Sequence, residues 1–240
     1  MAKITIAPFN RVEGDLKIKV ELKDGKIFDA QASGVMFRGF EYILKGRFPE
    51  DALVYTPRIC GICSISHSVA SSNALAAISE DFTPSRSGQH AKNISHATEN
   101  AMSHITQFYL YFAPDLLNKK YAGLKYYPFI KKRLTALKGE SVKTIMTERK
   151  RFLEILGLIG GKWPHTLALQ PGGITKALTT SEIFRIKGVI KHFTTVMETV
   201  LLGMPVKSYL QIKSINNFES ALMEASASAS DMAFFYHFSK

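Results

Sequence analysis

The chain has 240 residues, 46% hydrophobic and 21% charged, the balance of an ordinary globular protein long enough to bury a core as one or two domains. A formal charge of +11 with two cysteines in the whole chain excludes a disulfide-stapled scaffold and fits a reducing compartment, so the expected location is cytoplasmic. No run of about eighteen apolar residues occurs, so no membrane-spanning helix is expected, and Met1-Ala2-Lys3-Ile4-Thr5 lacks the apolar stretch of a signal peptide.

Residues 3 to 33 read as a small antiparallel sheet. Leu16, Ile18, Val20 and Leu22 alternate with Lys17, Lys19 and Glu21, and Asp24-Gly25 supplies a tight turn into Ile27-Phe28. Glu13 and Gly14 fall just before that strand. Crowding in such a loop raises a carboxyl toward neutrality, as a proton donor needs; the competing reading of Glu13 is a salt bridge with Arg11 or Arg38. Arg38 to Leu44 is expected as a short helix closed by Gly46. Its Glu41 is a hard oxygen donor suited to a divalent cation, and equally suited to an ion pair with Arg38 or Arg47.

Cys60 and Cys63 follow, in the stretch Arg58-Ile59-Cys60-Gly61-Ile62-Cys63-Ser64-Ile65-Ser66-His67. This C-x-x-C spacing puts both sulfurs on one side of a turn, and Pro57 sets a break before it. The alanine-rich run from Ser64 to Glu80 predicts a helix, which places the cysteines at a helix N-terminus. Unpaired amides and the positive dipole end there are expected to favour thiolate. His67, one turn beyond Cys63, is placed to lean over that sulfur. Four readings compete: a redox pair, which wants a βαβ context; a zinc site, which needs two more ligands; an iron–sulfur cluster, which needs two more thiolates; and half of a soft-metal site completed from elsewhere.

From Pro84 onward the pattern is helical. Ser85–Phe112, Ser141–Ile159 and Ser181–Leu202 each carry one apolar stripe and read as core-forming helices. Between Leu116 and Ile155 eleven Lys or Arg stand against three Glu, a net of +8, with Tyr121, Tyr126, Tyr127 and Phe129 interleaved. The pattern is shared by nucleic-acid surfaces and by solvated helix faces; the solvated face with a partner-facing patch is the expectation, and no nucleic-acid partner is expected. Gly160 to Gly173 breaks the helices with two glycine pairs, Pro164 and Pro171, and holds Lys162 and His165. It reads either as a water or proton path toward the cysteine pair or as a plain connector. The tail after Asn217 reads as a docking helix or a frayed end.

Four of these pieces, in order, resemble the large subunit of nickel–iron hydrogenases. They are Asn10-Arg11-Val12-Glu13-Gly14-Asp15; Phe37-Arg38-Gly39-Phe40-Glu41 with Lys45-Gly46-Arg47-Phe48-Pro49; Arg58-x-Cys60-Gly61-x-Cys63-x-x-x-His67; and Gly160-Gly161-Lys162-Trp163-Pro164-His165 with Pro171-Gly172-Gly173. The resemblance implies a nickel and an iron bridged by thiolates, with cyanide and carbon monoxide on the iron. In it Cys60 is the terminal nickel ligand, Cys63 bridges the two metals, and His67 hydrogen-bonds Cys63. Glu13 resembles the glutamate that passes protons to and from the nickel-side thiolate, and Glu41 the one that binds magnesium. Members of that family carry a second C-x-x-C near the C-terminus, which this sequence lacks. A separate polypeptide or a missing C-terminal half is therefore implied, together with an iron–sulfur small subunit to carry electrons.

The expected fold is α+β and mainly α, a small N-terminal antiparallel β element on a bundle of long helices, as in hydrogenase large subunits. Its expected parts are a β element over residues 1–35, a helical body with the C-x-x-C over 36–217, and a tail or docking helix over 218–240. The expected function is a portion of the subunit that oxidises dihydrogen reversibly to protons and electrons. A hydrogen-sensing subunit and a zinc-stabilised binding protein are the competing functions. A metal-free relative such as the quinone-side subunit of respiratory complex I would lack the cysteines. Hydrogenase large subunits can cross a membrane bound to a partner carrying the signal, so membrane association or export through a partner qualifies the cytoplasmic expectation.

Overall fold

The computed structural model describes residues 2–9, 11, 14–78, 83–224 and 229–239; Glu13 lies outside them. The chain divides into two compact units, Met1–Arg47 and Phe48–Lys240.

In the first unit, β1 (Ala2–Phe9), β2 (Leu16–Lys23) and β3 (Lys26–Gly34) form an antiparallel sheet with β2 in the middle. Val20 pairs with Ile4 and Ala30, and Ile18 with Ile6 and Ala32, so the alternating apolar set of β2 meets apolar partners on both sides. Asp24 at φ 52° and Gly25 at φ 74° are both left-handed, as the expected two-residue hairpin turn requires. Helix α1 runs Phe40–Leu44, two residues shorter at its start than expected, because Gly39 at φ 65° takes a left-handed conformation that breaks helical continuity.

The second unit is helical: α2 (Ala52–Tyr55), α3 (Ser64–Ala77), α4 (Arg86–Thr106), α5 (Tyr127–Leu134), α6 (Glu140–Phe152), α7 (Glu154–Gly160), α8 (Thr180–Val196), α9 (Val206–Tyr209), α10 (Ile215–Met223) and α11 (Asp231–Ser239). A two-residue strand pair, β4 (Leu169–Gln170) and β5 (Gly173–Ile174), interrupts them. Ser85 caps α4 by accepting from the Gly88 amide, and Thr179 and Glu182 cap α8 reciprocally. Helices α4 and α8 continue into π-helical turns over Gln107–Phe112 and Met197–Leu202, so both reach their expected ends. The helix expected over Ser141–Ile159 is instead two. The Leu153 carbonyl accepts from both Leu156 and Gly157, at 3.0 and 3.2 Å, and this tightened turn separates α6 from α7.

The stripes face one core. Ile130, Leu134, Val142, Ile145, Ile155 and Ile159 are buried together with Ile186 and Val189, and Phe152 stacks on Phe193 at 4.1 Å. Burial of each such side chain contributes about 1.5–3 kcal/mol. The C-terminal helix is docked by a polar lock inside this core. Asp231 is fully buried and accepts from Arg133 Nε at 2.6 Å, Tyr109 Oη at 2.8 Å and Ser141 Oγ at 3.1 Å. Burial and the Asp231 carboxylate push the Tyr109 hydroxyl far up, so it stays a donor. Arg133 thus turns inward from the basic run, while Lys119, Lys120, Lys125, Lys131 and Lys138 remain exposed. Among the described residues no helix is long and apolar enough to cross a membrane.

Candidate metal centre

The cysteine turn is held by its own backbone first. Helix α2 passes into a 3₁₀ turn, Thr56–Arg58, whose Pro57 is buried. Thr56 Oγ1 donates to the Ala52 carbonyl at 2.8 Å and lies 3.1 Å from Ser71 Oγ, fastening the approach segment to α3. Arg58 donates back to the Val54 carbonyl. Cys60 Sγ then accepts from the amides of Ile62 and Cys63 at 3.3 and 3.4 Å, and Cys63 is the N-cap residue of α3. Both thiols are free and half-buried.

The decisive contact comes from a residue that the sequence pattern did not single out. Glu99, on α4, is 2% exposed. Its carboxylate accepts from the Ile65 and Ser66 amides, both at 2.8 Å, from Ser66 Oγ at 2.9 Å and from Trp163 Nε1 at 3.0 Å. It therefore caps the first turn of α3 from a distant helix, in place of a local side chain. This corrects the expectation of free amides favouring thiolate. The Cys63 thiol is instead pushed up to about 12, chiefly by burial, then by the hydrogen bond and charge of Cys60 and by the Glu99 carboxylate. Glu99 is the only acidic residue of α4, and it lies in the buried stripe formed by Gly88, Ala91, Ser95, Thr98, Met102 and Ile105. An acid on a buried stripe is the signal that would have found it.

The glycine-rich loop after α7 packs on the same turn. Besides the bond from Trp163 to Glu99, His165 Nδ1 sits 2.8 Å from the Pro57 carbonyl, and the His165 amide donates to Ser64 Oγ at 3.3 Å. A Cβ added to Gly61 would stand 4.0 Å from Pro164 Cγ. Arg149 lies 5.8 Å from the Trp163 ring and donates to Thr106 Oγ1 at 2.9 Å; its burial lowers its pKa. The second half of the loop is pinned by a backbone crossing. A Cβ on Gly88 would fall 2.9 Å from Gly173 Cα, and one on Gly173, at φ 152°, 3.0 Å from Gly88 Cα. Only glycine at both positions lets α4 and the Pro171-Gly172-Gly173 turn approach so closely.

The His67 imidazole lines a groove of about 430 Å³ with Ala52, Ala70, Ala74, Leu75 and Ile78, and the bond that joins His67 to Cys63 is between main-chain atoms, at 3.2 Å. Glu41 belongs to the first unit and is exposed. Among the described residues no three His, Cys, Asp or Glu side chains converge as a complete metal cage.

Comparison with known proteins bears directly on this turn. The nickel-dependent hydrogenase family model matches residues 38–138, which include both cysteines and Glu99. The periplasmic [NiFeSe] hydrogenase large subunit of Desulfomicrobium baculatum is 34% identical over 201 residues, 75% of this chain and 38% of that protein. Residues 38–138 thus carry a nickel-dependent hydrogenase domain, and the chain resembles the N-terminal part of hydrogenase large subunits. A vhc-type F420-non-reducing hydrogenase polypeptide of Methanococcus voltae is 32% identical over 92% of this chain and 47% of its own length. The fold agrees. The reduced, active Ni-Fe-Se hydrogenase of D. baculatum superposes with a TM-score of 0.65 at 30% identity, over 81% of this chain and 42% of that one. The enzyme from D. vulgaris Hildenborough gives 0.64 at 32% identity, over 82% of this chain and 42% of its own. The chain spans less than half the length of these relatives, and the match falls on their N-terminal part.

The donor set fits such a group as half of its holder. Two adjacent free sulfurs are soft ligands. Burial, then the neighbouring Cys60 and the Glu99 carboxylate, oppose ionisation of Cys63, and a bound dication would counter them.

Proposed function

We propose that this chain supplies two of the thiolates of a nickel–iron centre, in an assembly that oxidises dihydrogen reversibly to protons and electrons. The observation that carries the reading is that two of the family's motifs, distant in sequence, meet in space. The C-x-x-C turn is gripped by the Gly160–Gly173 loop through Trp163, Pro164 and His165, and both rest on α4.

Cys60 and Cys63 would hold the centre, Cys60 on nickel and Cys63 shared with iron, with cyanide and carbon monoxide completing the iron. When bound, the centre supplies a soft, redox-active site at which dihydrogen is split. The chain's own residues keep the two sulfurs together and half-shielded from water, with Cys60 Sγ held by the Ile62 and Cys63 amides. His67 is assigned a hydrogen bond to the Cys63 sulfur in the assembled centre, Glu13 the carriage of protons, and Glu41 a place on a magnesium ion. A polypeptide carrying a second C-x-x-C would complete the ligand set, and an iron–sulfur small subunit would carry electrons away. A cytoplasmic location is the proposal, with membrane association or export through a partner as the alternative.

The test is co-purification with metals measured. Nickel and iron should accompany the chain together with a polypeptide bearing the second cysteine pair. Cys60→Ser should abolish nickel retention in that complex, because an alcohol is a harder and poorer ligand. Zinc alone in the wild-type complex, or normal nickel in the variant, would overturn the assignment.

A further inference from the structure

Resting on that reading, we infer that Glu99 is the positioning residue of the thiolate pair: one buried carboxylate ties the helix that Cys63 caps to the loop that covers the cysteine turn.

The geometry is specific. The Ile65 and Ser66 amides belong to the second and third residues after the Cys63 N-cap, the positions whose N–H groups a capping oxygen ordinarily takes. Here the two carboxylate oxygens take one amide each, at 2.8 Å. The oxygen that holds Ile65 also holds the Trp163 indole, and the oxygen that holds Ser66 also holds its hydroxyl. Four donors converge on an acceptor with about four lone-pair sites, so its capacity is filled. An ionised acceptor makes each of these bonds stronger than a neutral cap would. Nothing between Ser64 and the sulfurs could absorb a shift: Cys63 is the cap residue itself, and its amide is held by Cys60 Sγ. A displacement of the first turn of α3 therefore moves both thiols relative to Pro164 and His165. Ser66 and Trp163 are far apart in sequence, and Glu99 joins them.

Three substitutions in the full chain test this. E99Q removes the charge and half of the accepting capacity. E99D keeps the charge but shortens the reach by one methylene. W163F removes a single donor. Amide exchange at residues 64–67 should rise about tenfold in E99Q and E99D, the scale set by losing a bond to a charged group, while exchange across α8 stays unchanged. Trp163 is the chain's sole tryptophan, so its emission reports the bond directly and should shift in both variants. The positions of the thiols are read with added cadmium(II), a soft probe of paired sulfurs, through its thiolate charge-transfer band. Both variants should bind it about tenfold more weakly, as loss of a group that orients metal ligands does.

If E99D binds cadmium like wild type, the carboxylate acts by charge alone and the positioning role is wrong. Unchanged exchange at 64–67 and unchanged emission in E99Q would show that no clamp exists. Should both Glu99 variants fail to fold, W163F decides: a weakened cadmium band supports the role, and an unmoved band overturns it. Nickel content of the wild-type complex decides the hydrogenase assignment separately, since neither the cadmium band nor the exchange data depend on nickel.

Discussion

The thiol of Cys63 offers the sharpest quantitative check on the site. Its surroundings move it from an ordinary 9.0 to about 12. At pH 8 an ordinary thiol is ionised in about one molecule in ten, whereas Cys63 should be ionised in about one in ten thousand. The assay is iodoacetamide labelling of the metal-free chain from pH 7 to 11, with the modified peptide quantified, against the same chain in guanidinium. The folded protein should show labelling at Cys63 still climbing at pH 11, while the denatured chain levels off one to two pH steps above its thiol pKa. Following the pH dependence, not the absolute rate, separates ionisation from access. In Cys60→Ser the inflection should move down without reaching the denatured value, because burial is the leading cause and persists. The sign of the stability effect is fixed as well. The folded state holds this proton more tightly than the unfolded state, so the contribution is complete below about pH 9 and is lost as pH rises toward 12. An inflection at Cys63 that coincides with that of the denatured chain would refute the account of the site's electrostatics.

Two further outcomes test the scaffold. Asp231→Ala leaves Arg133, Tyr109 and Ser141 without their shared acceptor and should cost about 4 kcal/mol, read as a fall of about 10 °C in melting temperature by calorimetry; a fall under about 3 °C would contradict the lock. Gly173→Ala forces a Cβ to within 3.0 Å of Gly88 Cα at φ 152° and should destabilise by about 2 kcal/mol. The control Gly157→Ala, whose Cβ would meet nothing within 4 Å, should be neutral or stabilising by up to about 1 kcal/mol in the same melts.

What the sequence disclosed follows from how local each signal is. The hairpin at Asp24-Gly25 and the starts of α4 and α8 depend on neighbours within a few residues, and each lies within a residue of its expected place. The apolar stripe of Ser141–Ile159 held, with Ile145, Phe152, Ile155, Leu156 and Ile159 all buried. Phe112, Ile183 and Ile190, at the edges of the other two stripes, are instead exposed, and α4 buries a face of small and polar residues beside the expected one. The break at Leu153 was invisible because Leu153 continues the apolar pattern of α6 into α7 and carries no glycine or proline. The electrostatics of the cysteine turn were misread for a different reason. A helix N-terminus has free amides only if nothing distant takes them, and Glu99 is more than thirty residues away from the amides it caps. The Gly160–Gly173 loop was legible as an irregular turn, but its contacts with Pro57, Ser64 and Glu99 belong to tertiary structure.

The crossing of Gly88 over Gly173 also sets a length rule for α4. Gly88 and Glu99 are eleven residues apart, about three whole turns and about 16 Å of rise, so both point toward the same side of the helix. The crossing fixes where α4 starts, and the turn count fixes the compass bearing at which the carboxylate arrives. Adding or deleting one residue between them would swing that bearing by about 100° and carry the acid off the cysteine turn, with both cysteines still in the sequence. Along this stretch, spacing is as much a part of the cysteine turn as the sulfurs are.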